Sequence, residues 1–199
     1  VAFAAGYHLP DAAAKKGKET AALTETQKQM PQKAPEPAIS PEMAKEADRK
    51  ESISLDASKS YHIIVEKKAH RLSLLLGDTV VRSYGCAIGK GGLGQKQRRG
   101  DNMTPVGTFT VDEIDDASSW THDFGDGRGE IAGAYGPWFI SLDTEALSGG
   151  AWDGIGIHGT HDPQSIGTDA SEGCIRLHNE DLQELRSVVK VGTVVEIKD

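Results

Sequence analysis

Residues 61–88 read YHIIVEKKAHRLSLLLGDTVVRSYGCAI. Within this stretch YHIIVEK (61–67), RLSLLL (71–76) and TVVRSYGCAI (79–88) are rich in β-branched and aromatic residues that recur with a period near two, and Gly77-Asp78 separates the last pair. That period places successive side chains on opposite faces of an extended chain, so three strands joined by short hairpins are predicted. A β meander therefore opens a folded domain near residue 60.

Toward the C-terminus, GKGGLGQKQRRGDN (89–102) predicts a loop. It has no helical pattern after it and lacks the Lys-Ser/Thr ending of a phosphate cradle, which argues against nucleotide binding. TPVGTFTV (104–111) is a turn into a further strand, and residues 112–135, polar and Gly-rich around Trp120, suggest an irregular insertion near the site. PWFISLD (137–143) and GIGIHGT (154–160) are the next strands, the second ending at His158. In SEGCIRLHNEDLQELRSVVKVGTVVEIKD (171–199), Asn179 is a candidate N-cap, and Leu182, Leu185 and Val188 or Val189 form an apolar stripe. Gly192 would close that helix before a last strand, TVVEIK (193–198). The expected class is mainly β with one short helix.

Toward the N-terminus the texture is different. Residues 9–59 are rich in Ala, Lys, Glu and Gln, with Pro31, Pro35, Pro37 and Pro41 close together. Such a stretch buries too little apolar surface to offset its ordering entropy, so residues 1–59 are expected to be a flexible or partly helical tether before a domain at 60–199. The apolar run VAFAAGY (1–7) is consistent with the tail of a removed export signal, and equally with an arbitrary chain start. No stretch of eighteen apolar residues spans a membrane. The formal net charge of -8 falls mostly after Lys59, and without a broad basic face nucleic acid is a poor partner. Lys90, Lys96, Arg98 and Arg99 form one local basic loop, read first as solvated and second as a carboxylate contact.

The two cysteines, Cys86 and Cys174, exclude a multi-bridge disulfide framework and match no four-ligand zinc site. Cys86, in an apolar strand context, reads as an inert buried thiol. Cys174 follows a polar loop within Ser171-Glu172-Gly173-Cys174-Ile175-Arg176, a setting that leaves a thiol at the mouth of a groove. A thiol needs a neighbouring base to react at neutral pH, and His158, at the end of the preceding strand, is the candidate. The Gly159 carbonyl could accept the other imidazole N–H and fix the tautomer. The N–H groups of Gly173 and Cys174 are candidate oxyanion donors. Arg176 reads either as a substrate carboxylate clamp or as an ion pair bracing the loop, with bracing slightly favoured. Ser171 and Thr160 fall in the same class, substrate-binding or bracing. His62, His70 and His122 receive no role, while His161 and His178 flank the site as lining residues.

IHGT (157–160) followed by SEGCIRLHNED (171–181) resembles the signature of the L,D-transpeptidase catalytic domain, the YkuD-type family. TPVGTF (104–109) resembles that family's TPxGxF motif, and CAIGKG (86–91) the strand and glycine turn before it. The resemblance spans residues 60–199. It implies a β-sandwich-like domain of two mixed sheets, with Cys174 as nucleophile and His158 as general base. It further implies peptidoglycan stem peptides as substrates, carbapenem-type β-lactams as inhibitors, a periplasmic or cell-envelope location, and no metal or organic cofactor. Many members carry a histidine where this chain has Glu172, which leaves substrate preference and local charge open.

By the same implication, Cys174 forms a thioester with a tetrapeptide stem, releasing D-alanine, and an amine or water resolves it, giving a transpeptidase or a carboxypeptidase. A sortase-like reading fails because the His158–Cys174 separation is too short. A zinc peptidase built on His158, His161 and Cys174 lacks HExxH or HxH spacing. The non-enzymatic alternative is an envelope-binding module with an inert thiol.

Overall fold

The structure, a computed structural model, describes residues 54–199. The tether expected for residues 1–59 lies, up to residue 53, outside the described residues.

The alternation at 61–88 forms the meander it predicts. β1 (His62–Glu66), β2 (Arg71–Leu76) and β3 (Thr79–Gly85) are consecutive antiparallel neighbours. Ile63 pairs with Leu74 and Val65 with Leu72, and all four side chains are fully buried. The chain continues through β4 (Ile88–Gly89), the ten-residue β5 (Gly107–Asp116), β6 (Thr121–Asp123), β7 (Glu130–Ala132) and β8 (Trp138–Leu142). A helical turn α1 (Glu145–Ser148), β9 (Gly156–His158), a 3-10 turn (Pro163–Ser165) and β10 (Asp169–Ser171) follow. The last elements are β11 (Ile175–Arg176), helix α2 (Asn179–Arg186) and β12 (Val194–Lys198).

Eight strands hydrogen-bond in the order β11-β9-β8-β5-β12-β1-β2-β3. β5 belongs to two halves of this array: residues 107–110 pair with β12, and from Val111 onward it pairs with β8, with a register shift between Val111 and Glu113. An extra residue at such a bulge bends the strand and strengthens its twist, so one long strand serves two mixed sheets. Each half holds one parallel pair, β1 with β12 and β9 with β11. Ile63, Leu72, Leu74, Ile140, Ile157 and Ile197 from both halves are fully buried, each worth about 1.5–3 kcal/mol of hydrophobic stabilisation. The mainly β, two-sheet expectation stands.

Helix α2 closes this core with Leu182 and Leu185, both fully buried. Its Glu184 carboxylate accepts hydrogen bonds from Arg82 Nε at 2.7 Å and Tyr84 Oη at 2.8 Å, tying the helix to β3. The Lys67 ammonium, with no exposure, donates to the Gly94 carbonyl at 2.6 Å and pairs with Asp199 at 2.7 Å. It thereby pins the glycine-rich loop 89–102 beside the ends of β1 and β12.

Several local expectations need correction. Residues 112–135 are not wholly irregular: β5 runs to Asp116, and β6 and β7 pair as a separate antiparallel ribbon. The polar side chains there hid a strand because its outward positions are solvated. His178, not Asn179, occupies the N-cap of α2. The helix ends at Arg186, with Val188 and Val189 buried beyond it, and Gly192 turns the chain into β12 at positive φ.

Candidate active site

The register of β9 and β11 decides the site. In this parallel pair Arg176 is the partner of His158, and Ile175 of Ile157. Partnered side chains share a face, and side chains two apart along a strand return to it. His158, Arg176 and the Cys174 side chain therefore lie on one face. All three line a groove of about 580 Å³, walled also by Tyr135, His122 and Glu172. The fifteen residues between the cysteine and the histidine are bridged by backbone pairing.

His158 is 3 % exposed. Its Nδ1 bonds the Gly159 carbonyl at 2.6 Å. A carbonyl only accepts, so Nδ1 carries the hydrogen and Nε2 keeps its lone pair. The ring stacks on Phe139, 11° from parallel at 5.5 Å, and meets the edge of Tyr135 at 5.0 Å. Burial lowers its pKa to about 3, so the resting imidazole is neutral.

Cys174 is partly exposed, and its Sγ donates to the Gly154 carbonyl at 3.3 Å rather than to His158. Desolvation pushes its pKa up to about 11, opposed by a backbone hydrogen bond from Gly156 and by the charge of Arg176. Glu172 raises it further, as a smaller contribution than burial. Thiol and imidazole, both lining the groove, each rest neutral. Cys86, fully buried, is pushed up to about 12 by desolvation.

The turn before the nucleophile is held from three directions. Ser171 Oγ donates to the Cys174 carbonyl at 2.5 Å and accepts the Gly173 N–H at 3.1 Å. Thr104 Oγ1 donates to the Gly173 carbonyl at 2.8 Å and accepts the Gly89 N–H at 2.8 Å. Gly173 has φ of +135°, and a Cβ there would lie 3.0 Å from the Met103 carbonyl oxygen. Only glycine fits that position without strain. The oxyanion expectation needs revision: the Gly173 N–H is engaged by Ser171, and of the two proposed donors the Cys174 N–H alone is left to face a reacting carbonyl. Thr160 is buried and braces, its N–H bonded to Asn179 Oδ1 at 2.9 Å and its Oγ1 accepting the Asp162 N–H at 2.9 Å. Asn179, expected as a cap, instead links the two motifs.

Arg176 is 6 % exposed and forms no ion pair among the described residues, which removes the carboxylate that a bracing pair would need. Its guanidinium sits 5.3 Å from the Phe124 ring centroid, and its Nε has no hydrogen-bond partner. The basic loop is largely occupied: Lys96 pairs with Asp101 at 2.7 Å, and Arg99 with Asp153 at 2.8 Å. His161 packs on Phe124 and His178 occupies the N-cap position of α2 without a side-chain capping bond, both beside a neighbouring depression rather than in the groove. Sequence reasoning missed His122, Tyr135 and Phe139. Only the aromatic density of the 120–139 stretch could have signalled them.

A family model described as the L,D-transpeptidase catalytic domain matches residues 60–197. The chain belongs to this family. Among L,D-transpeptidase relatives, the putative enzyme YkuD of Bacillus subtilis is 35 % identical over 137 residues, covering 69 % of this chain and 65 % of that protein. The putative L,D-transpeptidase YqjB of the same organism is 31 % identical over 138 residues, covering 69 % of this chain and 71 % of that protein. The chain thus spans just under two thirds of the length of the YkuD relative. An L,D-transpeptidase from Mycobacterium smegmatis shares the fold, with a TM-score of 0.51 at 18 % identity, over 70 % of this chain and 59 % of that one. L,D-transpeptidase 3 from Mycobacterium tuberculosis, solved with a faropenem-derived adduct, superposes with a TM-score of 0.50 at 15 % identity, over 70 % of this chain and 60 % of that one. Among the described residues no helix is long and apolar enough to cross a membrane, and no cluster of three metal-ligating side chains occurs.

Proposed function

We propose that the chain is a cysteine-dependent L,D-transpeptidase that acts on peptidoglycan tetrapeptide stems at the cell envelope. The observation that carries this reading is that Cys174, immediately before β11, and His158, on the β9 strand paired with it, line one groove, with the imidazole tautomer fixed by the Gly159 carbonyl. Because both groups rest neutral, the thiol proton moves to His158 Nε2 as sulfur attacks, not before. That transfer first requires the thiol to turn from the Gly154 carbonyl, a reorganisation common where catalytic hydrogen bonds tighten only with substrate bound.

Sulfur attacks the carbonyl of the third stem residue, the Cys174 N–H faces the developing oxyanion, and His158 returns the proton to the departing D-alanine amine. Arg176, buried and with no carboxylate partner among the described residues, would hold a stem carboxylate in the groove. An amine of a neighbouring stem then resolves the thioester to a cross-link between third-position residues. Water in that role would give an L,D-carboxypeptidase. An export route to the periplasm or wall accompanies this substrate.

The test is incubation of the chain with disaccharide-tetrapeptide beside Cys174→Ala and His158→Ala, with products read by mass spectrometry. Release of D-alanine with dimer formation, lost in both variants, is the expected result. Release without dimer replaces transfer by hydrolysis, and no turnover by a folded chain favours a non-catalytic envelope-binding module. A carbapenem-type β-lactam, offering a strained carbonyl to the same sulfur, is expected to add its mass to Cys174 and not to Cys86.

A further inference from the structure

The ribbon β6–β7 carries a histidine that the reaction as described does not use. His122 reaches into the groove, and its Nε2 lies 2.8 Å from Glu172 Oε2 while its Nδ1 lies 3.1 Å from Tyr135 Oη. An ionised carboxylate only accepts, so Nε2 carries the hydrogen and donates to Glu172. Nδ1 then accepts the Tyr135 O–H. The three side chains form a directed chain in which each group is oriented by the next: tyrosine O–H to imidazole, imidazole N–H to carboxylate. This is the polarity of a hydroxyl–imidazole–carboxylate triad.

The chain is well placed. Tyr135, His122 and Glu172 all line the groove that holds Cys174. Glu172 stands two residues before the nucleophile, and the Tyr135 ring separates the two imidazoles, 5.0 Å from His158 and 5.7 Å from His122. His122 is further held edge-on by Phe124 at 4.6 Å. Lys90 Nζ lies 3.9 Å from the other Glu172 oxygen, leaving the oxygen that meets His122 unshared.

We propose that Glu172, His122 and Tyr135 form a second proton relay serving the incoming acceptor, so that acylation is run by His158 and transfer is assisted from the β6–β7 side. The proposal rests on the thioester reading above. After acylation His158 has given its proton to the leaving amine and is neutral again. When the acceptor amine attacks the thioester carbon, a C–N bond forms, the C–S bond breaks and one amine proton must leave. That proton passes to Tyr135 Oη as the tyrosine hydrogen moves to His122 Nδ1, and Glu172 stabilises the resulting imidazolium. His122 later releases a proton to water and the Cys174 thiolate takes one from water, so the enzyme returns to its starting state. Tyr135 would touch the acceptor; His122 and Glu172 act through it as positioning residues.

The experiment separates the two half-reactions in the full chain with disaccharide-tetrapeptide, following D-alanine release for acylation and loss of acyl-enzyme mass with dimer appearance for transfer. In Tyr135→Phe, which keeps the ring against His158, and in His122→Gln, the ratio of transfer rate to acylation rate is expected to fall about a hundredfold or more, the usual size of lost acid–base assistance. Hydroxylamine, a strong nucleophile with a weakly basic nitrogen, should restore that ratio in both variants, which a merely packing role would not permit. An unchanged ratio in both variants, or a fall that hydroxylamine leaves in place, overturns the relay. Absence of any acyl-enzyme in the unsubstituted chain is a different result: it sinks the thioester reading, and the relay with it.

Discussion

Raising the pH in the presence of a small alkylating agent should expose how Cys174 is activated. With its pKa pushed up to about 11 by desolvation, only about one molecule in ten thousand is thiolate at pH 7, against about 3 % for a thiol of ordinary pKa near 8.5. The resting sulfur should therefore react roughly 300-fold more slowly than a free thiol, since only the thiolate attacks. The rate should climb about tenfold per pH unit and level off only near 11. The assay is the second-order rate of iodoacetamide addition between pH 5 and 11, with peptide mapping to separate Cys174 from the fully buried Cys86. A plateau between pH 5 and 8 would refute the reasoning, because it would reveal a preformed thiolate–imidazolium pair. It would also mean that the lowered His158 pKa does not govern the site, and that sulfur is activated before substrate arrives.

Acid should destabilise the fold through His158. Its folded pKa, lowered to about 3, lies below the unfolded value near 6.5, so the unfolded chain binds the extra proton. This stabilisation is complete above pH 6.5 and is lost on descent toward 3, at up to about 1.4 kcal/mol per pH unit; urea midpoints at stepped pH measure it, and a flat profile from 6.5 to 4 would contradict it. Gly173→Ala forces a non-glycine residue into φ of +135° against the Met103 carbonyl, and should cost about 1–3 kcal/mol of stability together with the acylation rate; a denaturant titration alongside the D-alanine assay checks both. Asn179→Ala removes the acceptor of the Thr160 N–H and should lower stability by about 1 kcal/mol, read as a shifted thermal midpoint, whereas no shift would mean that water replaces the amide.

The strands of the meander were legible because their alternation is paid out in burial: Ile63, Val65, Leu72 and Leu74 are the inward set and nothing local competes. The nucleophile and base were legible as motifs, but not their juxtaposition, which comes from a parallel register between strands of two and three residues that no periodicity can announce. Asn179 misled because an amide before a helical stripe usually caps it, and here a tertiary partner, the Thr160 N–H, took the oxygen. Gly173 was assigned to the oxyanion site from its glycine alone, and the Ser171 hydroxyl that engages its N–H could not be foreseen from spacing. His122 was passed over because a lone histidine in a polar stretch carries no signal until Glu172 and Tyr135 are brought to it from fifty and thirteen residues away.

The parallel pairing of β9 and β11 also bears on how such a domain can diversify. Since His158 ends β9 and Cys174 immediately precedes its paired strand β11, the length of chain joining them is not under the constraint that their separation is. The exposed stretch around Pro163 and Gln164 could grow or shrink, or carry a grafted recognition segment, while the two reacting groups keep their places. Substrate range can then change by insertion beside the groove, with the chemical pair inherited intact.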